Sequence, residues 1–385
     1  MTQSSQSNST NINPFASTKL SLTEHETIQD KQKSEIVPST MKAVVVHEYG
    51  GPNELVNHSN YPTPVLKEKH VIVRNNYAGL NFIDTYHRKG LYPRNLPFVA
   101  GQEAGGIIVG ILPSDVSSGF QIGDRVVYTS LETYSEYSLV PISKLIKIPD
   151  DIPLDVATAC VVQGLTAHYL VSTAHANLIK PGEWMLIYSV GSGTCQWAAQ
   201  MAKLKGYRVI GTTSKGKVEN ASKAHCDDLI VLDEVDGKSY ADYGSVDITK
   251  RVMEMTNNEG VKCIIDGVGK STCEISLNCL AHRGIFISFG NASGVVEFPI
   301  LKLSSKSAYV TRPKLLDYIK SKEELQERSS QIFQWIREGK LVMSIEKEFG
   351  LKDAVNAHEY IEAGCTKGKI LLKMGSESDV EKKED

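Results

Sequence analysis

Between about Gln163 and Leu303 the chain alternates short apolar runs with segments of helix length, and this rhythm limits the possible folds more than any other feature. The runs Trp184–Val190, Tyr207–Thr213, Leu229–Leu232, Lys262–Asp266 and Gly284–Phe289 read as strands. Between them, Thr194–Lys205, Lys217–His225, Val246–Thr256 and Ser271–Ala281 are long enough for helices. The first of these places Thr194, Trp197, Ala198, Met201 and Leu204 at helical spacing. Strands joined through helices return to one sheet in parallel, so the expected class is α/β with a doubly wound parallel sheet.

From Met41 the punctuation is different. The runs Lys42–His47, Val71–Arg74, Gly106–Ile111, Arg125–Tyr128 and Tyr137–Val140 are separated by Gly, Pro and Asn, the pattern of a small barrel-like β domain. Helices around Glu323–Glu338 and Leu351–Ala363 and a strand at Lys369–Met374 are expected to return and complete that barrel. The organisation read from this is a disordered extension over 1–40, a barrel domain over 41–163 plus 304–374, a nucleotide-type domain over 164–303 and a solvated tail over 375–385. The extension is dominated by Ser, Thr, Asn and Gln, which bury too little apolar surface to offset ordering.

A net charge of −3 over 385 residues gives no global positive field for a polyanion, which argues against duplex DNA as partner. Seven scattered cysteines without a C-x-x-C pair read as reduced thiols. No uninterrupted apolar stretch approaches the ~18 residues of a membrane span, and neither a signal peptide nor an Arg-rich presequence is evident, so the expected location is the cytoplasm.

The strand ending in Val190-Gly191-Ser192-Gly193-Thr194-Cys195 runs straight into a helix. Backbone N–H groups and the positive dipole end of a helix favour a pyrophosphate there, which makes Gly191, Ser192, Gly193 and Thr194 cofactor candidates. The third glycine of the usual G-x-G-x-x-G is replaced by Cys195 or Gln196, and tight turns without ligands look similar. An NAD site wants a carboxylate about 20 residues further on. Here Thr213, Ser214, Lys215 and Lys217 stand instead, hydroxyls and two cations suited to a 2′-phosphate, so NADP is favoured over NAD, although a solvated lysine pair on a loop would read the same way.

The segment Asn81-Phe82-Ile83-Asp84-Thr85-Tyr86-His87-Arg88-Lys89-Gly90-Leu91-Tyr92-Pro93 resembles the signature of zeta-crystallin-type NADPH:quinone oxidoreductases, zinc-free members of the medium-chain dehydrogenase/reductase superfamily. The likeness continues through Gly101–Gly106, Gly123–Val126, Gln163–Thr166, Ser288–Gly294 and Val310–Pro313. It implies a GroES-like catalytic barrel beside a Rossmann domain, with cofactor and acceptor between them. It further implies that Asn81 contacts the nicotinamide side, that Tyr86 and, less decidedly, Tyr92 hydrogen-bond the acceptor carbonyl, and that Thr166, Gly290, Asn291 and Arg312 serve the cofactor. Arg312 is expected near the adenosine phosphate. Tyr243 is the best match to a cofactor-contacting tyrosine displaced by the extra stretch Asp233–Asp242, and Lys367 or Lys369 would replace an Arg that relatives carry near the C-terminus. Zinc-dependent cousins have a His where this chain has Gln102 and a Cys near Asn81, so no metal is expected.

Without the resemblance, Tyr86 and Tyr92 read equally well as core aromatics, and Asp84 as a helix cap. His168, His175 and His358 read as structural. Cys195, at a helix start, is a candidate redox switch or a buried spacer. The expected activity is NADPH-dependent reduction of quinones or related conjugated carbonyls. The alternatives are a 2-alkenal or enoyl reductase, and a non-catalytic NADPH-binding or sensing protein, with RNA binding a further possibility. Relatives of this kind form homodimers or homotetramers.

Overall fold

The computed structural model describes residues 37–232, 243–364 and 366–375. Of the expected disordered ends, 1–36 and 376–385 therefore lie outside the described residues.

β1 (Thr40–Val46), β2 (Leu55–Pro62), β3 (His70–Leu80), α1 (Phe82–Arg88), β4 (Phe98–Val99), β5 (Glu103–Ile111), β6 (Arg125–Thr129), β7 (Tyr137–Pro141) and β8 (Leu145–Lys147) build most of the barrel. β1 lies between β2 and β4 in a small antiparallel sheet. β3 is the hub of a larger one, pairing antiparallel with β5 and β7. Alternate residues of β3, Val71 and Val73, reach an inner core shared with Ile108, Val126, Tyr128 and Val140.

α2 (Leu154–Ser172) leads into the second half. By length and composition it is apolar enough to cross a membrane, although Asp155, Gln163 and His168 interrupt it, and 72% of its most apolar 18-residue window is buried inside the protein. An all-round apolar helix of a globular protein is a core helix.

There follow β9 (Trp184–Ile187), α3 (Gly193–Leu204), β10 (Arg208–Ser214), α4 (Val218–Ser222), β11 (Asp228–Leu232), α5 (Ile248–Met255), β12 (Val261–Asp266), α6 (Cys273–Cys279), β13 (Leu280–Ser288) and β14 (Tyr309–Thr311). The strands form one parallel sheet in the order β11-β10-β9-β12-β13-β14. Met185 and Ile187 face a core shared with α2 and α3, whereas Leu186 and Tyr188 face the α5 and α6 side. A sheet covered on both faces needs apolar residues at every position, which is why these strands read as runs. The chain order reverses between β9 and β12, and ligands of such sheets bind at that point, outside the carboxyl ends of the strands.

α7 (Lys322–Arg337), β15 (Ile345–Gly350), α8 (Ala354–Glu362) and β16 (Lys369–Lys373) close the chain. β16 pairs with β3 and with β15, so the last strand does complete the barrel. The expected domain borders differ from the observed ones in two places. The 163/164 border falls inside α2, and the 303/304 border excludes β14, which extends the parallel sheet. α7, too, lies on the nucleotide side, where Leu325, Ile332 and Phe333 join the α2–α3 core. A strand of three half-exposed residues carries too short a pattern to read, and only packing shows which neighbour a helix chose.

Candidate active site

A cleft of about 1590 Å³ runs along the carboxyl ends of the parallel strands and against the barrel. That exceeds the ~300–1,000 Å³ of a usual single-ligand pocket, and leaves room for a dinucleotide and a second molecule. It is lined by Asn81, Tyr86, Tyr92, Thr166, the turn Gly191–Cys195, Thr213, Ser214, Lys217, Tyr243, Gly290, Asn291 and Arg312. Of the sequence candidates, only Lys369 is outside it.

The turn after β9 is held from below. Ser189, at φ +59°, donates its N–H to Thr212 Oγ1 at 3.0 Å, and its hydroxyl lies 2.7 Å from Tyr243 Oη. Asn220 Nδ2 donates to Gly191 O at 2.6 Å. A Cβ on Gly191 would sit 2.5 Å from Thr213 Oγ1 and 2.8 Å from Lys217 Cβ, so only glycine lets the turn approach β10 this closely. The residues replacing the third glycine do not plug the turn. Gln196 is drawn away to Asn220 O at 2.6 Å, and Cys195 is buried with the turn still opening on the cleft. Burial pushes the Cys195 thiol up to about 12, with the Asp266 charge adding to it. Of the two readings of Cys195, the buried spacer is the one that fits, because desolvation outweighs the dipole at the helix start.

At one end of the cleft, Lys217 Nζ donates to Gly364 O at 2.6 Å, beside Thr213 and Ser214. Tyr243 packs edge-on against Tyr188, with ring centroids 5.8 Å apart; the stretch Asp233–Asp242 preceding it lies outside the described residues. At the switch point, Asp266 accepts from Val268 N (2.6 Å), Gly269 N (3.1 Å) and Thr272 Oγ1 (2.7 Å), folding the chain back at the end of β12; burial raises its carboxyl nonetheless. A Cβ on Gly290 would meet Gly267 O at 2.3 Å, so the ends of β12 and β13 approach backbone to backbone.

On the barrel side, β3 delivers Asn81 to the start of α1, where its N–H donates to Asp84 Oδ2 at 2.8 Å. Its side chain is engaged inward. Nδ2 donates to Glu103 Oε2 at 2.8 Å, and Oδ1 accepts from Lys369 Nζ at 2.9 Å. Lys369 and Glu103 form an ion pair, both at 0% side-chain exposure, and Glu103 Oε1 takes the Val162 N–H of α2 at 2.6 Å. Lys369 is therefore corrected from cofactor contact to buried counter-ion. Lys367, its alternative, does line the cleft. Thr166 lies well inside α2 rather than at a helix start, and faces the cleft from there.

α1 and the loop after it aim two phenols at the opposite wall. Tyr86 and Tyr92 pack edge to face at 5.5 Å. Asn291 N donates to Tyr86 Oη at 3.1 Å and Asn291 Nδ2 to Tyr92 Oη at 3.3 Å, while Arg312 Nη2 donates to Tyr92 Oη at 3.3 Å. The placement of Arg312 near the adenosine phosphate does not stand. Arg312 follows β14 and Lys217 follows β10, four strands apart in the sheet order, which at ~4.8 Å per strand is about 19 Å.

Sequence reasoning missed Glu103, Asp266 and Ser189. Glu103 carried a signal, an acid at the head of the strand run Glu103–Ile111 beside Gly105 and Gly106. The three histidines are structural as expected: His168 is held by Gln331 and Arg328, His175 by Val171 O, and His358 by Arg88 and Tyr134.

Comparison with known proteins agrees with this geometry. Residues 67–150 match the family described as alcohol dehydrogenase GroES-like domain, and residues 233–372 the one described as zinc-binding dehydrogenase. The chain is 35% identical to a quinone oxidoreductase of Pseudomonas aeruginosa over 86% of its length and 99% of that protein's. It is 34% identical to a 2-haloacrylate reductase of a Burkholderia species, covering 86% and 98%. Among solved structures, Escherichia coli quinone oxidoreductase complexed with NADPH superimposes with a TM-score of 0.77 at 36% identity, covering 86% of this chain and 99% of that one. Fold and site together define a two-domain nucleotide-dependent oxidoreductase of the medium-chain dehydrogenase/reductase superfamily. Within it, the chain belongs to the quinone oxidoreductase family.

The zinc named by one matching family does not fit the residues present. Among the described residues no three His, Cys, Asp or Glu side chains gather as ligands. The Asn81–Glu103–Lys369 cluster is closed by a buried ammonium, which repels a cation.

Proposed function

We propose that the protein is an NADPH-dependent reductase of quinones and related conjugated carbonyls. The observation that carries this reading is the meeting, in one cleft, of a glycine turn at the sheet's switch point and two phenols presented by the barrel. The residues fit the cofactor: the cradle at Gly191 is one that a Cβ would fill, and it opens onto the first turn of α3. Gly191–Thr194 would hold the pyrophosphate, Thr213, Ser214 and Lys217 the 2′-phosphate, and Thr166, Gly290 and Asn291 the nicotinamide end, with Asn81 shaping the pocket floor. Bound NADPH supplies the hydride equivalent. The chain's own part is to orient the two reactants, to exclude water and to polarise the acceptor, with Tyr86 donating a hydrogen bond to the carbonyl oxygen and solvent supplying the final proton.

The likeness to a 2-haloacrylate reductase supports a second reading, reduction of an activated C=C bond. NADPH and NADH fluorescence titrations followed by an acceptor panel with product analysis decide the matter. Hydroquinone formation is expected, saturated products would favour the second reading, and NADPH binding without turnover of any quinone or enone would refute both and leave a sensing role.

A homodimer is the assembly we favour. Ile300, Leu301, Tyr309, Val310 and Leu316 expose apolar surface on and beside β14, the edge of the parallel sheet, which supports pairing with a second copy. The six described cysteines are free thiols, five of them buried, which supports a reducing compartment such as the cytoplasm.

A further inference from the structure

We propose that Arg312 belongs to the acceptor site, where it orients the Tyr92 hydroxyl as a hydrogen-bond donor to an acceptor oxygen that gains negative charge. The inference rests on the reductase reading and names a positioning residue for it.

Arg312 is anchored by one nitrogen and directed by the other. Nη1 donates to Ser288 Oγ at 2.8 Å and to Gly290 O at 2.9 Å, which pins the guanidinium to the end of β13. Nη2 then donates to Tyr92 Oη across the cleft at 3.3 Å, and Asn291 Nδ2 reaches the same oxygen at 3.3 Å. A phenol carries one hydrogen to donate and an oxygen that accepts. With two donors on that oxygen, the Tyr92 hydrogen is turned away from both of them, and Tyr92 lines the cleft.

Reduction of a quinone consumes one NADPH and one proton and yields hydroquinone and NADP+. The electron pair of the transferred hydride ends on the acceptor oxygen, which is protonated by solvent while Tyr92 donates a hydrogen bond and keeps its own proton. A fixed cation behind the donor favours the charge that develops on the acceptor oxygen as the hydride arrives over the neutral acceptor before transfer.

Arg312→Gln, Tyr92→Phe and the double variant would be compared. Expected is a loss of about tenfold in kcat/KM for 1,4-naphthoquinone in each single variant, carried mainly by kcat, with the double variant no worse than the poorer single one. Arg312→Lys, which keeps the charge without the fork, should recover only part of the loss. The NADPH dissociation constant should stay within about twofold of wild type throughout. Additive losses, or an NADPH affinity that falls as far as the acceptor kinetics, would overturn the assignment. Titrating the NADP+-loaded protein with naphthoquinone separates this proposal from the reductase reading. If wild type binds the quinone without turning it over, the reductase reading fails, while equal weakening by both variants sustains the Arg312–Tyr92 unit; undiminished affinity in Arg312→Gln, or no naphthoquinone affinity in wild type, overturns it.

Discussion

Asp84→Asn tests whether a buried carboxyl beneath the acceptor end governs how the protein responds to pH. Asp84 sits in the first turn of α1, two residues before Tyr86, and its Oδ1 is buried without a hydrogen-bond partner. Burial pushes its carboxyl from 3.8 up to about 7, with the charge on Glu103 assisting; the Asn81 N–H, the charge on Lys369 and the Tyr134 hydroxyl pull the other way. The folded protein therefore binds a proton that the unfolded chain releases near 3.8, so this stabilising contribution is whole below 3.8 and is lost as pH rises through about 7. At ~1.4 kcal/mol per unit, the full loss is about 4 kcal/mol, of which about 2 kcal/mol falls between pH 5.5 and 8.5. An amide in place of the carboxyl cannot titrate. Urea denaturation followed by tryptophan fluorescence should show the variant gaining about 2 kcal/mol on wild type across that interval. The neutral His168 and His358, held down to about 4 and about 3 chiefly by burial, titrate in both proteins and largely cancel in the difference. Parallel stability curves for the two proteins would refute the reasoning.

Three further outcomes follow from the same geometry. Lys369→Met should cost about 3–5 kcal/mol in denaturation, because it strands the buried Glu103 charge, and adding Glu103→Gln should restore most of the loss; equal instability of single and double variants would count against the pair. Lys217→Glu should weaken NADPH by at least about tenfold while sparing NADH in fluorescence titration, the worth of one charge-assisted bond to the 2′-phosphate; equal losses would remove Lys217 from that site. Leu301→Asp, at a residue 77% exposed beside β14, should shift the sedimentation mass from dimer to monomer without changing NADPH affinity.

Much of this molecule is written locally. The parallel sheet was legible because strands buried on both faces must be apolar throughout, and the helices between them because one face must be. The turn Gly191–Thr194 was legible because the need for close approach leaves glycine as its mark. The phenols Tyr86 and Tyr92 were legible only through their family signature, since a lone tyrosine says nothing about which way its hydroxyl points.

What the linear chain could not convey is pairing at a distance. Lys369 and Arg312 are both cations near the ends of strands, and the family resemblance assigned Arg312, with either Lys367 or Lys369, to the cofactor. The fold gives one to Glu103, 266 residues away, in a fully buried site, and swings the other to Tyr92, 220 residues away, at the far side of the sheet from Lys217. Cys195 shows the same limit, its helix-start position promising reactivity that burial takes away. Propensity and periodicity act over a few neighbours and are carried by the chain itself. The charge, burial and partner of a side chain depend on which strands the sheet order sets side by side, and that is decided only when the whole chain has packed.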